Sequence, residues 1–220
     1  MGDGLTGIRS VILASGSPRR RELLGYMRVP FEVLRIDVDE YVADPTPDCA
    51  RMLARRKARA AAEALRSAGA GRLELILAAD TIVWCENQLL GKPSDARDAE
   101  RMLGRIAGRW HEVYTGVCVL DMADGREETL FECSRVHLVP LTAAEIAGYV
   151  ATGEPMDKAG AYAIQGLGGA FIDEIAGSPS NVMGLPMAQT AALLKRFGAA
   201  RGSRPQETQE SKSKSMQAKM

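Results

Sequence analysis

A chain of 220 residues with 28 basic and 28 acidic side chains has no net charge at neutral pH. This excludes a global attraction to nucleic acid or an anionic membrane and leaves any anion site to local placement. Its 46% hydrophobic and 25% charged residues are ordinary for a globular domain, no apolar run approaches a membrane span, and the first residues lack a signal-peptide core. The four cysteines, Cys49, Cys85, Cys118 and Cys133, are far apart with no CxxC pair, so they read as reduced thiols of an intracellular protein.

In chain order, residues 10–15 (SVILAS) form a buried strand, and Ser17-Pro18 opens a helix through Tyr26 with Ser17 as N-cap and Pro18 at its first position. FEVLRIDV (31–38) is a second strand, and the Ala- and Arg-rich run from Asp48 to Arg66 is a helix. LELILAADTIVW (73–84) is too apolar and β-branched for the surface and belongs mid-sheet; Glu86-Asn87-Gln88 turns it back toward LLGKP. Asp95 to Ile106 is a helix with Ala99, Met102, Leu103 and Ile106 on one face. HEVYTGVCVLDM and TLFECSRVHLVPL are long strands joined by a hairpin at Ala123-Asp124-Gly125. Thr142 with Glu145 makes a capping box, AYAIQG and GAFIDEIAG are short strands, and a last helix runs from Pro186 to near Phe197-Gly198. Strands and helices do not alternate strictly and a hairpin sits in the middle. The fold class expected is therefore α/β, a mixed, twisted central sheet with helices on both faces. From Arg201 onward there is no Val, Ile, Leu or aromatic residue, so the expected organisation is one domain over 1–200 and a disordered polar tail over 201–220.

VILASGSPRR poses the first chemical question, because Arg19 and Arg20 sit in the opening turn of a helix, where acids are preferred. Either they are solvated beside an ordinary cap, or a polyanion binds there, held by the exposed N–H groups after Ser15, Gly16 and Ser17 and by two guanidinium forks. Asp80, closing the apolar run before Thr81, either caps a turn or carries chemistry or a metal, since a buried carboxylate is otherwise costly. Lys92 in the returning LLGKP comes close to Asp80 if the two strands pair. Asp157 and Lys158 form a second charged pair in a glycine-rich segment. Asp37, Asp39 and Glu40 are solvated acids or, beside Asp80, part of a hard-metal site.

SGSPRRRELL, Asp39-Glu40, RKARA around Lys57, AADTIV, LLGKP, YTGV, TGEPMDKAGAYAIQG and NVMGLP occur in that order. Together they resemble the Maf family of nucleoside triphosphate pyrophosphatases, over roughly residues 10 to 198, and the DKAGAY segment with IQG is similar to the branch acting on dTTP and UTP. The resemblance implies two lobes around a cleft, like that of inosine triphosphatases, and a divalent cation, magnesium or manganese. It places Asp80 on the family's proton acceptor and Arg19, Thr81 and Gln165 on its specificity positions. Ser15, Ser17, Arg20, Glu40, Lys57, Lys92, Asp157 and Lys158 match other cleft positions. Ala163, where the family usually has glycine, and Ser178-Pro179-Ser180 before NVMGLP depart from its pattern in the base and sugar pocket.

The chemistry so implied is in-line attack of water on the α-phosphorus, with Asp80 taking the proton, Glu40 and Asp80 holding the metal, and Arg19, Arg20, Lys57 and Lys92 holding the triphosphate. Thr81 and Gln165 would face the pyrimidine. The implied partner is a nucleoside triphosphate, with no nucleic acid and no membrane, and a homodimer is compatible with it. A dehydrogenase is disfavoured because GLGGAF is not GxGxxG. A serine hydrolase lacks GxSxG, and zinc lacks Cys/His spacing. The rival class is a nucleotide-binding regulator of cell division or septum formation with hydrolysis secondary; Asp80 favours the enzyme, because a pure binder of a polyanion should avoid it. The expected compartment is the cytoplasm. Ala218-Lys219-Met220 is a conservative variant of the Ser-Lys-Leu peroxisomal address, which would direct import where such organelles exist.

Overall fold

The computed structural model describes residues 9–69 and 74–199. The elements run β1 (Val11–Ala14), α1 (Pro18–Tyr26), β2 (Phe31–Leu34), α2 (Cys49–Ser67), β3 (Leu75–Cys85), β4 (Gln88–Leu90), α3 (Ala96–Ile106), β5 (Trp110–Asp121), β6 (Glu127–Leu138), α4 (Ala143–Ala151), β7 (Ile172–Ala176), α5 (Pro179–Val182) and α6 (Met187–Arg196). The seven strands form one sheet in the order β2-β1-β3-β5-β6-β7, with β4 also paired to β3. β2 and β1, and β1 and β3, are parallel; the remaining pairs are antiparallel. The expected mixed sheet is thus present.

The register of β3 creates the functional opening. One edge of β3 is paired with β5 from Leu75 to Trp84. The other edge is shared: β1 covers Leu75 to Leu77, and β4 covers Val83 to Cys85. Among the described residues, 78–82 therefore have no strand beside them on that edge. β1 stops at Ala14 and the chain turns at Ser15 into α1, so the start of α1 faces this gap.

The larger apolar clusters among the described residues hold the frame. On one face Val11, Leu13, Leu75, Leu77, Val117 and Val119 pack against Leu23 and Leu24 of α1 and Leu193 and Leu194 of α6. On the opposite face Ile12, Ile76, Ala78 and Cys118 meet Ala54, Ala58, Ala61 and Ala62 of α2. The alanine stripe lets this helix lie close to the strands. A Cβ on Gly116 would stand 2.3 Å from the Arg51 backbone, so only glycine admits α2 there. Beyond the gap, Val83, Leu90, Val113, Val136 and Leu138 build a second lobe with Leu103 and Ile106 of α3 and Ile146 and Val150 of α4.

Several local expectations are met. Ser17 caps α1, Thr142 and Glu145 form a full capping box, and the buried face of α3 is Ala99, Met102, Leu103 and Ile106. Others are corrected. β2 ends at Leu34, because its partner β1 ends at Ala14 and residues 35–38 have nothing to pair with. Residues 161–166 are not a strand: Gly160, Ala161 and Gly166 all take positive φ, and the segment is an irregular link between 3₁₀ turns at Ala159–Ala161 and Leu167–Phe171. Asp80 does not end its strand but sits in the middle of β3. Ser178 caps the short α5, a single turn opened by Pro179 that no apolar periodicity marks in the sequence. Cys49, Cys85 and Cys118 are buried and Cys133 is exposed, all as free thiols. Among the described residues no helix is long and apolar enough to cross a membrane. The polar tail and Ala218-Lys219-Met220 lie outside the described residues.

Candidate active site

Asp80 and Thr81 are consecutive on β3, so their side chains leave opposite faces of the sheet. Because that edge of β3 is uncovered, both still reach a single cleft of about 820 Å³ that wraps around it. The cleft therefore has two chemical walls, one beneath α2 and one beneath α1.

On the α2 wall, Lys57 reaches Asp80 Oδ1 at 2.5 Å and Glu40 Oε1 at 2.6 Å. Lys57 is buried by α2, while Glu40 comes from the irregular segment after β2 and is half exposed. Burial pushes the Asp80 carboxyl above the ordinary carboxylate range against the pull of Lys57 and Arg20, and the Glu40 charge adds to the rise. Desolvation also acts on Glu40, but there Lys57, Lys92 and Arg20 outweigh it and hold its carboxyl low. Neighbouring carboxylates are thus driven apart, the pattern expected where one must carry a proton and the other must stay charged.

On the α1 wall, Arg20 is partly buried and its fork is fixed at three points. Nε donates to the Gly184 carbonyl at 2.9 Å, Nη2 to Thr81 Oγ1 at 3.1 Å and Nη1 to Ser15 Oγ at 3.4 Å. Desolvation lowers its pKa, with Arg19 adding to this. Gly184 has φ +110°, and a Cβ there would stand 3.6 Å from Arg20 Nε, so glycine supplies both the turn and the carbonyl. Ser15 Oγ also accepts from the Ser17 amide at 3.2 Å, and Ser17 Oγ accepts from the Arg20 amide at 3.4 Å.

Arg19, one residue earlier and about 100° around the helix, instead spans the cleft toward Asp157 at 3.8 Å. Lys158 bonds Asp157 at 2.5 Å and the Glu154 carbonyl at 2.6 Å. Lys92 lines the cleft just after β4. The cleft therefore gathers Ser15, Ser17, Arg19, Arg20, Glu40, Lys57, Asp80, Thr81, Lys92, Asp157 and Lys158, together with Asp37 and Asp39. Gln165 is the exception: it is exposed, one residue beyond Ile164, the last of its loop to line the wall. A solvated Arg20 and a turn-capping Asp80 are both excluded by these contacts.

Glu40 and Asp80 are hard oxygen donors of the kind a divalent cation would take. Glu40 and Asp80 converge on one cationic point, that of Lys57 Nζ. Among the described residues no group of three or more His, Cys, Asp or Glu side chains forms a ready metal cage. Two carboxylates completed by water and substrate phosphates are the usual magnesium arrangement.

Residues 10–197 match the family described as "Maf-like protein". The chain belongs to that family. It is 50% identical over 192 residues to a dTTP/UTP pyrophosphatase of Anaeromyxobacter dehalogenans (strain 2CP-C), covering 86% of this chain and 94% of the relative. It is 47% identical over 197 residues to one of Nitratidesulfovibrio vulgaris, covering 88% and 90%. With one of Hahella chejuensis it shares 44% over 200 residues, covering 90% and 97%.

Beneath this Maf cleft lie supports that sequence reasoning did not single out. Thr115, wholly buried on β5, bonds Thr81 at 2.9 Å and donates to the Asn181 carbonyl at 3.0 Å. Glu154 accepts from the amides of Leu167 and Gly168, each at 3.0 Å, and from Tyr149 at 2.9 Å, pinning the loop that follows Gln165. The signals available were YTGV, NVMGLP and TGEP, which carry the buried Thr115 and Asn181 and the half-buried Glu154.

Proposed function

We infer that this protein is an enzyme, a nucleoside triphosphate pyrophosphatase that hydrolyses dTTP and UTP to the monophosphate and pyrophosphate. The observation that carries the chemistry is a buried carboxyl, Asp80, held above its ordinary range by burial in a cleft that also gathers Arg19, Arg20, Lys57, Lys92 and Lys158. A site built only to hold a polyanion gains nothing from a carboxylate at its centre; a site that must deprotonate water does. The relatives' names supply the nucleotide.

In the proposed mechanism Arg20, fixed by Gly184, Thr81 and Ser15, holds phosphate oxygens with its remaining N–H groups, and Arg19 and Lys92 add charge at the rim. Lys57 engages Asp80 Oδ1, so Oδ2 is the oxygen that takes the proton of the attacking water. In-line attack at the α-phosphorus expels pyrophosphate, whose charge these cations stabilise. Magnesium or manganese would be held by Glu40 and Asp80, and would supply Lewis-acid polarisation of the phosphate. Four unpaired cysteines support a reducing, cytoplasmic setting.

Product analysis tests this. With dTTP or UTP and magnesium, dTMP or UMP should appear with one equivalent of pyrophosphate. A nucleoside diphosphate with orthophosphate would overturn the mechanism. A preference for 7-methyl-GTP would overturn the nucleotide assignment.

A further inference from the structure

The Thr81 hydroxyl lies on the cleft wall at the middle of a four-member chain whose two ends fix its direction. Arg20 at one end can only donate, since a guanidinium has no acceptor. The Asn181 carbonyl at the other end can only accept, and it takes the Thr115 hydroxyl at 3.0 Å. Thr115 has one proton and has given it to that carbonyl. In the 2.9 Å contact between the two threonines, Thr81 must therefore be the donor. Thr81 also accepts from Arg20 Nη2 at 3.1 Å. Its proton and one lone pair are thereby used, and only a lone pair is left for the cleft.

The far end of the chain is rigid. Asn181 is wholly buried, and its side-chain amide donates to the Val113 carbonyl and to Ser134 Oγ, each at 3.0 Å. Its own carbonyl also accepts from the Gly184 amide at 2.9 Å, in the turn that presents the Gly184 carbonyl to Arg20. One buried turn therefore orients both Arg20 and, through Thr115, Thr81.

We propose that Thr115 is a positioning residue that makes Thr81 an acceptor-only group. Thr81 then meets a donor N–H or O–H on the nucleoside part of the substrate, while the phosphates go to Arg20. A phosphate oxygen, itself only an acceptor, gains nothing from Thr81 so oriented, whereas the imide of a thymine or uracil and the sugar hydroxyls can donate. This rests on the pyrophosphatase assignment, because it requires a nucleotide in the cleft.

The test is steady-state kinetics on dTTP for Thr115→Val, Thr115→Ser, Thr81→Val and the Thr81→Val/Thr115→Val double variant, with melting temperatures for each. Thr115→Val leaves the Thr81 proton free to turn toward the substrate donor. KM should rise about tenfold, the scale of one lost hydrogen bond, with kcat within about threefold. Thr115→Ser keeps the hydroxyl and should return KM to within about twofold of the parent. Once Thr81 is valine the inner residue has nothing to orient, so adding Thr115→Val should raise KM by no more than about twofold. Independent, multiplying effects of the two substitutions would overturn the proposal, as would a serine variant as impaired as the valine one, or an unchanged KM in Thr115→Val. Failure of the parent protein to release pyrophosphate from dTTP would instead overturn the assignment on which the proposal rests.

Discussion

Asp80 and Asp121 stand on the two long central strands, each 7% exposed and each paired with a cation, yet their carboxyls shift in opposite directions. The difference lies in the partners. Asp121 receives both arms of the Arg9 fork, with Nη2 at 2.7 Å from Oδ1, and Oδ1 also accepts the Ala123 amide at 2.8 Å. The Arg9 hydrogen bond holds it below the ordinary range despite burial. Asp80 has a single ammonium on one oxygen, shared with Glu40, and burial wins. A buried carboxylate with all its bonds made is a staple; one left short of bonds beside a cleft is a reagent.

Substituting both carboxylates by asparagine should separate the two roles. Asp80→Asn removes the base and should lower kcat on dTTP by about 10²-fold or more. Its folded-state carboxyl lies above the unfolded value, so it favours folding only at low pH, and that contribution fades as pH rises through the folded pKa. At neutral pH Asp80→Asn should therefore melt no lower than the parent. Near-normal turnover would move the base to another group, Glu40 first.

Asp121→Asn should do the reverse. Its lowered carboxyl contributes stability that is present above the unfolded value near 3.9 and is lost as pH falls through the folded pKa. At neutral pH denaturant unfolding should show a loss of about 1–3 kcal/mol, from the charge-assisted bonds to Arg9 that a neutral amide weakens, with kcat unchanged. That loss should shrink in acid. A fall in kcat without a fall in stability would erase the distinction.

The pH profile sharpens the same contrast. With Asp80 as the proposed base, the acid limb of kcat/KM should have its midpoint above the ordinary carboxylate value of about 3.9. A midpoint below it would mean that Asp80 is held like Asp121. The smallest effect concerns the arginines. Arg19→Lys keeps a rim charge and should cost only about threefold to tenfold in kcat/KM, less than Arg20→Lys, which loses a fork bound at three points.

The last pair shows how far the sequence was legible. Arg19 and Arg20 are neighbours in one motif and the sequence treats them alike; the helix turn between them sends one across the cleft toward Asp157 and the other onto Gly184, Thr81 and Ser15 in the cleft wall. Signals confined to a few adjacent residues were readable: Ser17 before Pro18, Thr142 with Glu145, and the one-sided face of α3. The order of motifs also pointed to the cleft, and most of the residues they carry do line it. What could not be read depends on contacts distant in sequence. β2 is short because β1 is short. The 161–166 segment is irregular because of positive φ values next to a loop held by Glu154. The service of Thr115 to Thr81 arises only when β3 and β5 pair. Asp80 was recognisable as costly, but that it lies mid-strand, at a gap between β1 and β4, required the register.

In the proposed mechanism, water activated by Asp80 attacks the α-phosphorus of the nucleotide. Hydrolysis of dTTP in ¹⁸O-labelled water followed by mass spectrometry tests it directly. The label should appear in dTMP, with pyrophosphate unlabelled. Label in the pyrophosphate would place the attack at the β-phosphorus, and labelled orthophosphate would place it at the γ-phosphorus. Either would contradict the account.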